Sequence, residues 1–454
     1  MLYEPLLTLV CKSGMNQKQR IFFWSITAAL GGFLFGFDTA VISGVEQSLQ
    51  VLWGLSVWEH GLTVSIALIG TVIGSMTGGI PAETLGRKKT LFWIAVLYLA
   101  ASLGTALAPN WPIFLIFRFL GGLGVGASSV AAPMYITEIS PAKSRGKLVG
   151  LFQFNVVFGI LVAYLSNFLL ADAGAEPWRW MLGVQALPSL IFLVAVLNIP
   201  ESPRWLLLKK GDETQARLVL DMIDPETAEQ TFVAIQDSNH HTKGSNRLFS
   251  GQYNTPIMLA VLFAVFNQVS GINAIIYYAP RIFEMTGLGK SSSLLSSAGI
   301  GLINLIFTLI SMNLIDRYGR RTLMKIGSVG LIITLGLVAR AFYVQDFGTT
   351  VPILLFCYIA FFGFSQGAVI WVFISEIFPN EVRASGQALG SFTHWFMAAI
   401  ITFTFPYLSE RFGGGNTFLF FAAMMVLQLL FVLRLMPETK GTSLEKIERT
   451  VFAH

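Results

Sequence analysis

The residues most capable of chemistry in this chain are a carboxylate and a guanidinium inside apolar segments. Asp38 lies in Gly36-Phe37-Asp38-Thr39, and Arg118 is the only basic residue between Lys89 and Lys143. An unpaired charge at the bilayer centre costs about 2.5–3.5 kcal/mol on insertion scales. Burial disfavours the charged carboxylate, whereas a nearby guanidinium favours it. The two residues therefore predict a pair that binds and releases a proton; the alternative is a static pair that orients two helices.

A second group of polar side chains interrupts the apolar segment 254–284. The run Phe266-Asn267-Gln268-Val269-Ser270-Gly271-Ile272-Asn273 contains three amides, followed by Tyr277-Tyr278. Gly271 allows a helix to unwind locally. Amides both donate and accept hydrogen bonds, which suits a ligand rich in hydroxyl groups.

Other polar and indole side chains within apolar segments extend this group. They are Gln153, Asn304, His394, Trp371 and Trp395. Indoles stack on the C–H faces of sugar rings, and amides bind their hydroxyl edges. The combination predicts a sugar site, although each tryptophan alone is equally consistent with packing or with the membrane interface. For His394 the alternatives are an imidazole that titrates and a neutral one that substitutes for an amide.

Charged motifs recur about half a chain apart. Three pairs recur at offsets of 238, 233 and 237 residues: Glu138-Ile139-Ser140-Pro141 with Glu376-Ile377-Phe378-Pro379, Gly86-Arg87-Lys88 with Gly319-Arg320-Arg321, and Pro200-Glu201-Ser202-Pro203 with Pro437-Glu438-Thr439. Matching charge clusters in two hydrophobic halves predict a duplicated membrane domain. Such domains are typical of transporters in which one repeat moves against the other.

The charged residues in and near these motifs are predicted to form a cytoplasmic gate network. They are Arg87, Glu138, Arg145, Glu201, Arg204, Asp316, Arg320, Arg321, Glu376, Arg383 and Glu438. Exposed surface pairs would contribute little. A desolvated network between the two halves would set the conformational equilibrium. The alternative is that these residues only anchor the topology.

The composition requires a membrane. The chain has 454 residues, of which 54% are hydrophobic and only 12% charged, and such values exclude an ordinary soluble protein. Apolar runs of about 20 residues, long enough to cross a bilayer, form two groups of six. They cover 21–44, 61–82, 90–108, 112–137, 148–170 and 180–199, then 254–284, 294–315, 322–344, 352–375, 386–408 and 416–436. The predicted fold is an all-α integral membrane protein with twelve transmembrane helices in two pseudo-symmetric six-helix bundles.

The predicted domains follow from these runs. They are a cytoplasmic tail at 1–20, a six-helix bundle at 21–200, intracellular amphipathic helices and a linker at 201–253, a second bundle at 254–436 and a cytoplasmic tail at 437–454. Met15 resembles a natural start, which makes residues 1–14 an extension or a disordered tail. The pair His240-His241 is interpreted as a solvated loop and not as a metal site, because adjacent side chains point apart.

The distribution of basic residues predicts the orientation. Lys and Arg are frequent after spans 2, 4 and 8 and absent from 45–60 and 345–351. The positive-inside rule then places both termini in the cytoplasm. The net charge of +5 is assigned to these loops and not to nucleic-acid binding. No disulfide is expected between Cys11 and Cys357.

From about Arg20 to Glu448 the chain resembles the sugar porter family of the major facilitator superfamily. The resemblance rests on six motifs: Gly36-Phe37-Asp38, Arg118-Phe119-Leu120-Gly121-Gly122, Pro200-Glu201-Ser202-Pro203-Arg204, Gln268-Val269-Ser270-Gly271-Ile272-Asn273, Asp316-Arg317-Tyr318-Gly319-Arg320-Arg321 and Pro437-Glu438-Thr439-Lys440-Gly441. It implies alternating access and a sugar site between the bundles. The implied binding residues are Phe35, Gln153, Gln268, Asn273, Tyr278, Asn304, Gly367, Trp371 and Trp395.

The chain departs from the family pattern at several positions. Asn267 stands where many members have a second Gln, Ala368 replaces a Pro, His394 replaces an amide, and Glu83 replaces an Asp. Asn267 and His394 are therefore included in the predicted sugar site, and the particular sugar does not carry over from the family. The acid at Asp38 is similar to the proton-coupled bacterial members, whereas the facilitative glucose carriers of animals typically have an amide.

Three functions follow from these features. The first is a secondary active transporter that carries a monosaccharide (a hexose, a pentose or a polyol) together with a proton across the bacterial plasma membrane, as a monomer in the lipid bilayer. The second is a facilitative sugar uniporter, and the third is a non-transporting sugar sensor. Asp38 favours the first. An enzyme has least support, because no nucleophile–base pair or metal-ligand set stands out; no metal or cofactor is expected.

Overall fold

The computed structural model describes residues 16–141, 144–238, 248–379 and 382–440. The regular structure of these residues is helical. The α-helices are α1 Gln17–Val41, α2 Glu46–Trp53, α3 Val57–Thr77, α4 Gly79–Thr84, α5 Arg87–Ala106, α6 Trp111–Glu138, α7 Arg145–Leu169, α8 Pro177–Gly183, α9 Ala186–Leu197, α10 Pro203–Trp205, α11 Glu213–Ile223, α12 Ala228–Ser238, α13 Asn254–Val269, α14 Ile272–Met285, α15 Lys290–Tyr318, α16 Arg320–Val344, α17 Thr350–Phe364, α18 Gln366–Ile377 and α19 Arg383–Arg434. The predicted extension at 1–14, the pair His240-His241 and most of the C-terminal tail lie outside the described residues.

Within these ranges eleven helical segments are long and apolar enough to cross a membrane. The last of them covers 50 residues, Ser385–Arg434, which is far longer than one crossing needs. It is broken at Gly413, where φ is 77° and ψ is 163°. Two spans therefore lie within it, and the twelve-helix fold predicted from the hydrophobic runs is confirmed.

Local sequence sets several helix ends. Asn110 caps α6, because its Oδ1 accepts a hydrogen bond of 3.1 Å from the Ile113 N–H, and Pro112 follows in the first turn, where a missing N–H does no harm. Asp212 caps α11 in the same way through the Gln215 N–H. Span 7 is interrupted at Gly271, which has a φ of 87° and separates α13 from α14.

Glycines allow α3 and α6 to pack closely. A Cβ on Gly74 would lie 2.4 Å from the Leu123 carbonyl oxygen, and one on Gly126 would lie 2.3 Å from the Thr71 carbonyl oxygen. Any side chain at these positions would push the two backbones apart. Small residues serve this purpose in membrane helix interfaces generally. The packing holds the helix that carries Arg118 firmly within its half of the chain.

The chain divides into two compact units. One comprises Met1–Asp38, Gly70–Gly159 and Leu182–Gly244, and the other comprises Thr39–Ile69, Ile160–Met181 and Ser245–His454. The second unit has a continuous core in which Phe263, Phe373 and Phe431 meet. The boundary runs through span 1 directly after Asp38, so the chain passes from one unit to the other at its intramembrane acid.

Candidate functional site

The two intramembrane charges meet in the first unit. Arg118 on α6 donates from Nη1 to Asp38 Oδ1 at 2.7 Å and from Nη2 to the Asp38 backbone oxygen at 3.5 Å. Asp38 is 4% exposed and Arg118 is 2% exposed. Arg118 Nε is also buried and has no hydrogen-bond partner among the residues that the structure describes. The arrangement is a desolvated ion pair. Its stability depends strongly on both residues keeping their charge.

A third residue of this group was missed by the sequence reasoning. The Gln185 side chain hydrogen-bonds the Asp38 carboxylate, and Gln185 is 3% exposed. It lies between α8 and α9, within span 6. The sequence signal for Gln185 is the same as that for Gln153: an amide side chain within an apolar run. An amide can donate to the ionised acid or accept from the protonated one, so Gln185 suits both states of Asp38.

The amides of span 7 form a connected network in the second unit. Asn273 Nδ2 donates to Gln268 Oε1 at 2.6 Å, and Gln268 Nε2 donates to Asn267 Oδ1 at 2.9 Å. The three side chains are 8%, 1% and 1% exposed respectively. Because Gly271 breaks the helix, α14 starts in a new direction, which allows Asn273 to reach back across five residues to Gln268.

His394 joins this network from α19. Gln268 Nε2 lies 3.3 Å from His394 Nδ1 and 3.2 Å from His394 Nε2. Two nearly equal distances place the amide nitrogen above the ring and between the two ring nitrogens, not in line with either lone pair. His394 also packs against two indoles, with ring centroids 4.8 Å from Trp371 and 4.7 Å from Trp395. His394 therefore contacts both the amides and the indoles of this patch.

Other predicted sugar residues lie elsewhere. Tyr278 is fully buried and donates to the Thr402 backbone oxygen at 3.0 Å; it is not part of the amide network. Asn304 on α15 accepts from Thr308 at 3.4 Å. Gly367 lies in the first turn of α18 near the Phe362 ring.

Two further predicted residues belong to the first unit, apart from the amide network in the second. They are Phe35, which is buried on α1, and the half-buried Gln153 on α7. These positions leave the sugar-site assignment of the whole set a prediction.

The repeated motif of the first unit forms a closed set of hydrogen bonds. Arg87 binds Glu138 with two bonds, from Nε at 2.8 Å and from Nη2 at 2.9 Å. Glu201 Oε1 accepts from the backbone N–H groups of Arg87, Lys88 and Ser202 at 2.8–3.0 Å. Ser202 Oγ in turn donates to Glu138. Burial raises the pKa of the Glu201 carboxyl, and the backbone hydrogen bonds and the Arg87 charge oppose this rise.

The repeated motif of the second unit has the same construction. Arg320 binds Glu376 from Nε at 3.1 Å and from Nη2 at 2.8 Å. Glu438 accepts from the backbone N–H groups of Arg320 and Arg321 at 2.9 and 3.0 Å. Thr439 Oγ1 donates to Glu376 at 2.6 Å. Glu201 thus caps the start of α5, and Glu438 caps the start of α16. The first backbone N–H groups of a helix lack partners within the helix.

The remaining gate candidates are more exposed or bind locally. Arg145 and Arg204 are exposed. Asp316 is 79% exposed and lies 3.2 Å from Arg320, and Arg383 binds the nearby Phe378 carbonyl at 3.3 Å. The gate role of the whole set stays a prediction. Within the described ranges no group of three His, Cys, Asp or Glu residues could hold a metal ion.

Comparison with known proteins identifies the class. Residues 24–451 match the family model described as "Sugar (and other) transporter", and the chain belongs to this family. It is a multi-pass integral membrane protein with the major facilitator fold.

Two relatives and one solved structure illustrate the similarity. The chain is 36% identical to the D-xylose-proton symporter of Escherichia coli (strain K12), over 94% of this chain and 95% of that one. It is 38% identical to the arabinose-proton symporter of Bacillus subtilis (strain 168), over 94% of each. A structure of the xylose transporter of Escherichia coli in an inward-open conformation matches with a TM-score of 0.85 and 35% identity, over 95% of this chain and 99% of that one.

Proposed function

We propose that this protein transports a monosaccharide together with a proton, with Asp38 as the proton-binding residue. The buried Asp38–Arg118 pair carries this proposal. In the ionised state the carboxylate is held by the guanidinium. A proton on Asp38 removes its charge and weakens the pair, which frees α1 from α6. Arg118 stays charged throughout, because a guanidinium does not lose its proton in proteins.

Gln185 fits this coupling role. As Asp38 takes a proton, its carboxyl changes from an acceptor into a donor, and the amide of Gln185 can present either its N–H or its carbonyl oxygen. The hydrogen bond from Gln185 to Asp38 therefore persists in both states with its direction reversed. Proton binding then weakens the ion pair while the Asp38 carboxyl keeps its hydrogen-bond partner in Gln185.

The sugar is assigned to the amide and indole patch of the second unit. Gln268, Asn273 and Asn267 offer hydrogen-bond donors and acceptors, and Trp371 and Trp395 offer indole faces next to His394. The further residues proposed for the site are Phe35, Gln153, Tyr278, Asn304 and Gly367. The relatives named as proton symporters of xylose and arabinose support a monosaccharide as substrate.

The proposal includes the setting of the protein. We place it in the bacterial plasma membrane as a monomer, with both termini in the cytoplasm and the eleven gate residues on the cytoplasmic side. The basic loops after spans 2, 4 and 8 support this orientation. The two motif networks support a gate, because they present paired charges at matching places in both units. The chain is proposed to be a transporter without enzymatic activity.

Transport in proteoliposomes tests the proposal. A counterflow panel of xylose, glucose, galactose, fucose and inositol identifies the substrate. A pH-sensitive dye then measures proton movement when that sugar is added. We expect the wild-type protein to take up protons with sugar and Asp38→Asn to retain counterflow without proton uptake. Sugar flux without proton movement in the wild type would make the chain a uniporter. Binding without any flux would favour a sensor.

A further inference from the structure

A buried acid–base cluster that takes no part in the Asp38–Arg118 pair joins three helices of the second unit. Glu46 begins α2, His60 lies in the first turn of α3, and Arg281 lies on α14. Glu46 Oε2 is 2.7 Å from His60 Nε2 and 3.4 Å from Arg281 Nη1. The side chains of Glu46 and His60 are fully buried, and that of Arg281 is 27% exposed.

The contacts determine which ring nitrogen of His60 carries hydrogen. His60 Nε2 lies 2.7 Å from the Glu46 carboxylate and 3.1 Å from Arg281 Nη1. A guanidinium can only donate, and a ring nitrogen has either one hydrogen or one lone pair. Nε2 therefore cannot donate to Glu46 and accept from Arg281 at once. The shorter contact assigns the hydrogen to Nε2, and Arg281 donates to Glu46 and, at 3.2 Å, to Gln50.

In this arrangement the cluster is electrically balanced but has unused proton acceptors. Glu46 is negative, Arg281 is positive and His60 is neutral. His60 Nδ1 and Glu46 Oε1 are buried, and neither has a hydrogen-bond partner in the described part of the chain. A proton on Nδ1 would create a buried N–H without an acceptor and a net positive charge, and both are costly in an apolar interior. The closed cluster is therefore complementary to an imidazole that carries one hydrogen, on Nε2.

The other polar and aromatic groups near His60 come from α14, α3 and α19. Tyr278 of α14 lies with its ring centroid 6.0 Å from that of His60. Glu59, the preceding residue on α3, is partly exposed and accepts hydrogen bonds from Ser56. From α19, Tyr407 stacks on Trp58, which lies two residues before His60. Among these side-chain types, histidine is the one that ordinarily changes charge between pH 5 and 8.

We propose that the Glu46–His60–Arg281 cluster is a second proton-binding site of this transporter. One proton moves from a hydronium ion to the Nδ1 lone pair of His60: an N–H bond forms, an O–H bond of the hydronium breaks, and a water molecule is released. The charge of the cluster rises from zero to one. The protonated imidazole no longer fits the closed cluster, so α14 separates from α2 and the start of α3. Acid therefore favours the open form, and alkali favours the closed form.

The location gives this site a distinct role. Glu46 and His60 flank the connection between spans 1 and 2, whereas Arg87 follows span 2. Successive connections emerge on opposite faces of the membrane, so the cluster responds to the pH on the face opposite the Arg87 motif. The inference rests on the proposed function only in requiring that the chain transports sugar; it does not require that Asp38 carries the coupled proton.

Histidine NMR tests the site without any transport measurement. The chain has only five histidines, so subtraction of a His60→Gln spectrum from that of the ¹⁵N-histidine-labelled protein in nanodiscs isolates His60. We expect hydrogen on Nε2 alone at pH 8 and on both ring nitrogens at pH 5. Hydrogen on Nδ1 alone at pH 8, or an unchanged ring between pH 5 and pH 8, would overturn the proposal.

Counterflow tests the consequence for transport. Radiolabelled xylose and glucose are exchanged at equal pH on both sides, so that no gradient contributes. We expect the wild type and Glu59→Gln to share one pH profile, and His60→Gln to change it by about fivefold or more at one end of the range, the lower limit of ordinary coupling between sites. Glu46→Gln provides a second variant. A folded His60→Gln protein with the wild-type profile would contradict the proposal.

The two experiments separate failure of this inference from failure of the proposed function. If the chain exchanges neither sugar, the proposed substrate class is wrong, while the NMR titration of His60 still decides whether the cluster binds a proton. If sugar is exchanged and Asp38→Asn retains the wild-type pH profile, the pH response belongs to the second site. If Asp38→Asn flattens the profile as completely as His60→Gln does, the cluster is not an independent site and the proposal fails.

Discussion

Gly86 and Gly319 have nearly the same backbone conformation, although they lie in different halves of the chain. Their φ and ψ angles are 99° and 162°, and 88° and 161°. This region is accessible almost only to glycine. In each case the carboxylate that caps the following helix, from Glu201 or Glu438, approaches the glycine directly. The duplicated sequence motif therefore encodes a duplicated structure down to individual hydrogen bonds.

Alanine at either glycine should destabilise the protein. An added Cβ would lie 2.3 Å from Glu201 Oε2 at position 86 and 2.6 Å from Glu438 Oε2 at position 319. The backbone strain alone costs about 1–3 kcal/mol. Gly336→Ala is the matched control, because within the described chain its added Cβ would have no atom within 4 Å beyond its neighbours and its own turn of helix, and alanine favours a helix. We expect lower thermal unfolding midpoints in detergent for Gly86→Ala and Gly319→Ala only; equal midpoints for all three variants would contradict the argument.

The charge of Glu201 should make stability depend on pH. Burial raises the pKa of this carboxyl above its ordinary value of 4.5. The folded protein therefore holds the proton to higher pH than the unfolded chain does, and stability falls as pH rises from about 4.5 through the raised pKa. Glu201→Gln should lack this decline. Unfolding midpoints of both proteins between pH 4 and 8 check the prediction, and two parallel profiles would refute it.

The sequence predicts an ion pair where two charged residues lie within apolar segments, because a charge is unusual there. Asp38 and Arg118 were matched because isolated intramembrane charges need partners, and the structure pairs them at 2.7 Å. The Glu46–His60–Arg281 cluster escaped notice because each member lies near the end of an apolar run, where charge is ordinary. Its significance comes only from burial.

Backbone breaks limited the prediction of the sugar site. A regular helix would bring Asn273 and Tyr278 to directions fixed by their spacing. The structure breaks span 7 at Gly271 and again at Tyr278, whose φ and ψ are −122° and 20°. Each break changes the direction in which all later side chains of the span point. The backbone angles at a break depend on tertiary packing. The amide network could therefore be anticipated, whereas the direction of Tyr278 toward Thr402 could not.

Gln268→Ala should abolish sugar binding and leave the protein folded. Gln268 connects Asn267, Asn273 and His394, so its loss leaves sugar hydroxyls and two amides unpaired. Unpaired buried groups cost about 1–3 kcal/mol each, which corresponds to an affinity at least about tenfold weaker. Gln428→Ala is the control: Gln428 is equally buried but binds Ser328, and its loss should affect stability only. Near-normal affinity of Gln268→Ala in equilibrium binding would remove Gln268 from the site.

Sugar affinity should be independent of the charge of His394. The ring is enclosed by Trp371 and Trp395 and faces an amide nitrogen, so a positive charge there would be buried without a carboxylate partner. We expect the binding constants of the wild type and of His394→Gln to have the same dependence on pH between pH 5 and 8. A wild-type affinity that changes across this range, with a flat His394→Gln profile, would show that the imidazole titrates at the ligand.

The Asp38–Arg118 pair should show strong coupling in a double-mutant cycle. Arg118→Gln leaves the Asp38 carboxylate buried without a counter-charge, and breaking a buried pair from one side typically costs about 3–5 kcal/mol. Asp38→Asn likewise leaves the Arg118 guanidinium buried without a counter-charge. The double variant removes both charges, so its unfolding midpoint should lie above that of Arg118→Gln and its total loss should be smaller than the sum of the single losses. All three variants should fail to accumulate sugar on a pH gradient. Additive stability losses would mean that the two charges contribute no interaction, and accumulation by Asp38→Asn would move the coupled proton to another residue.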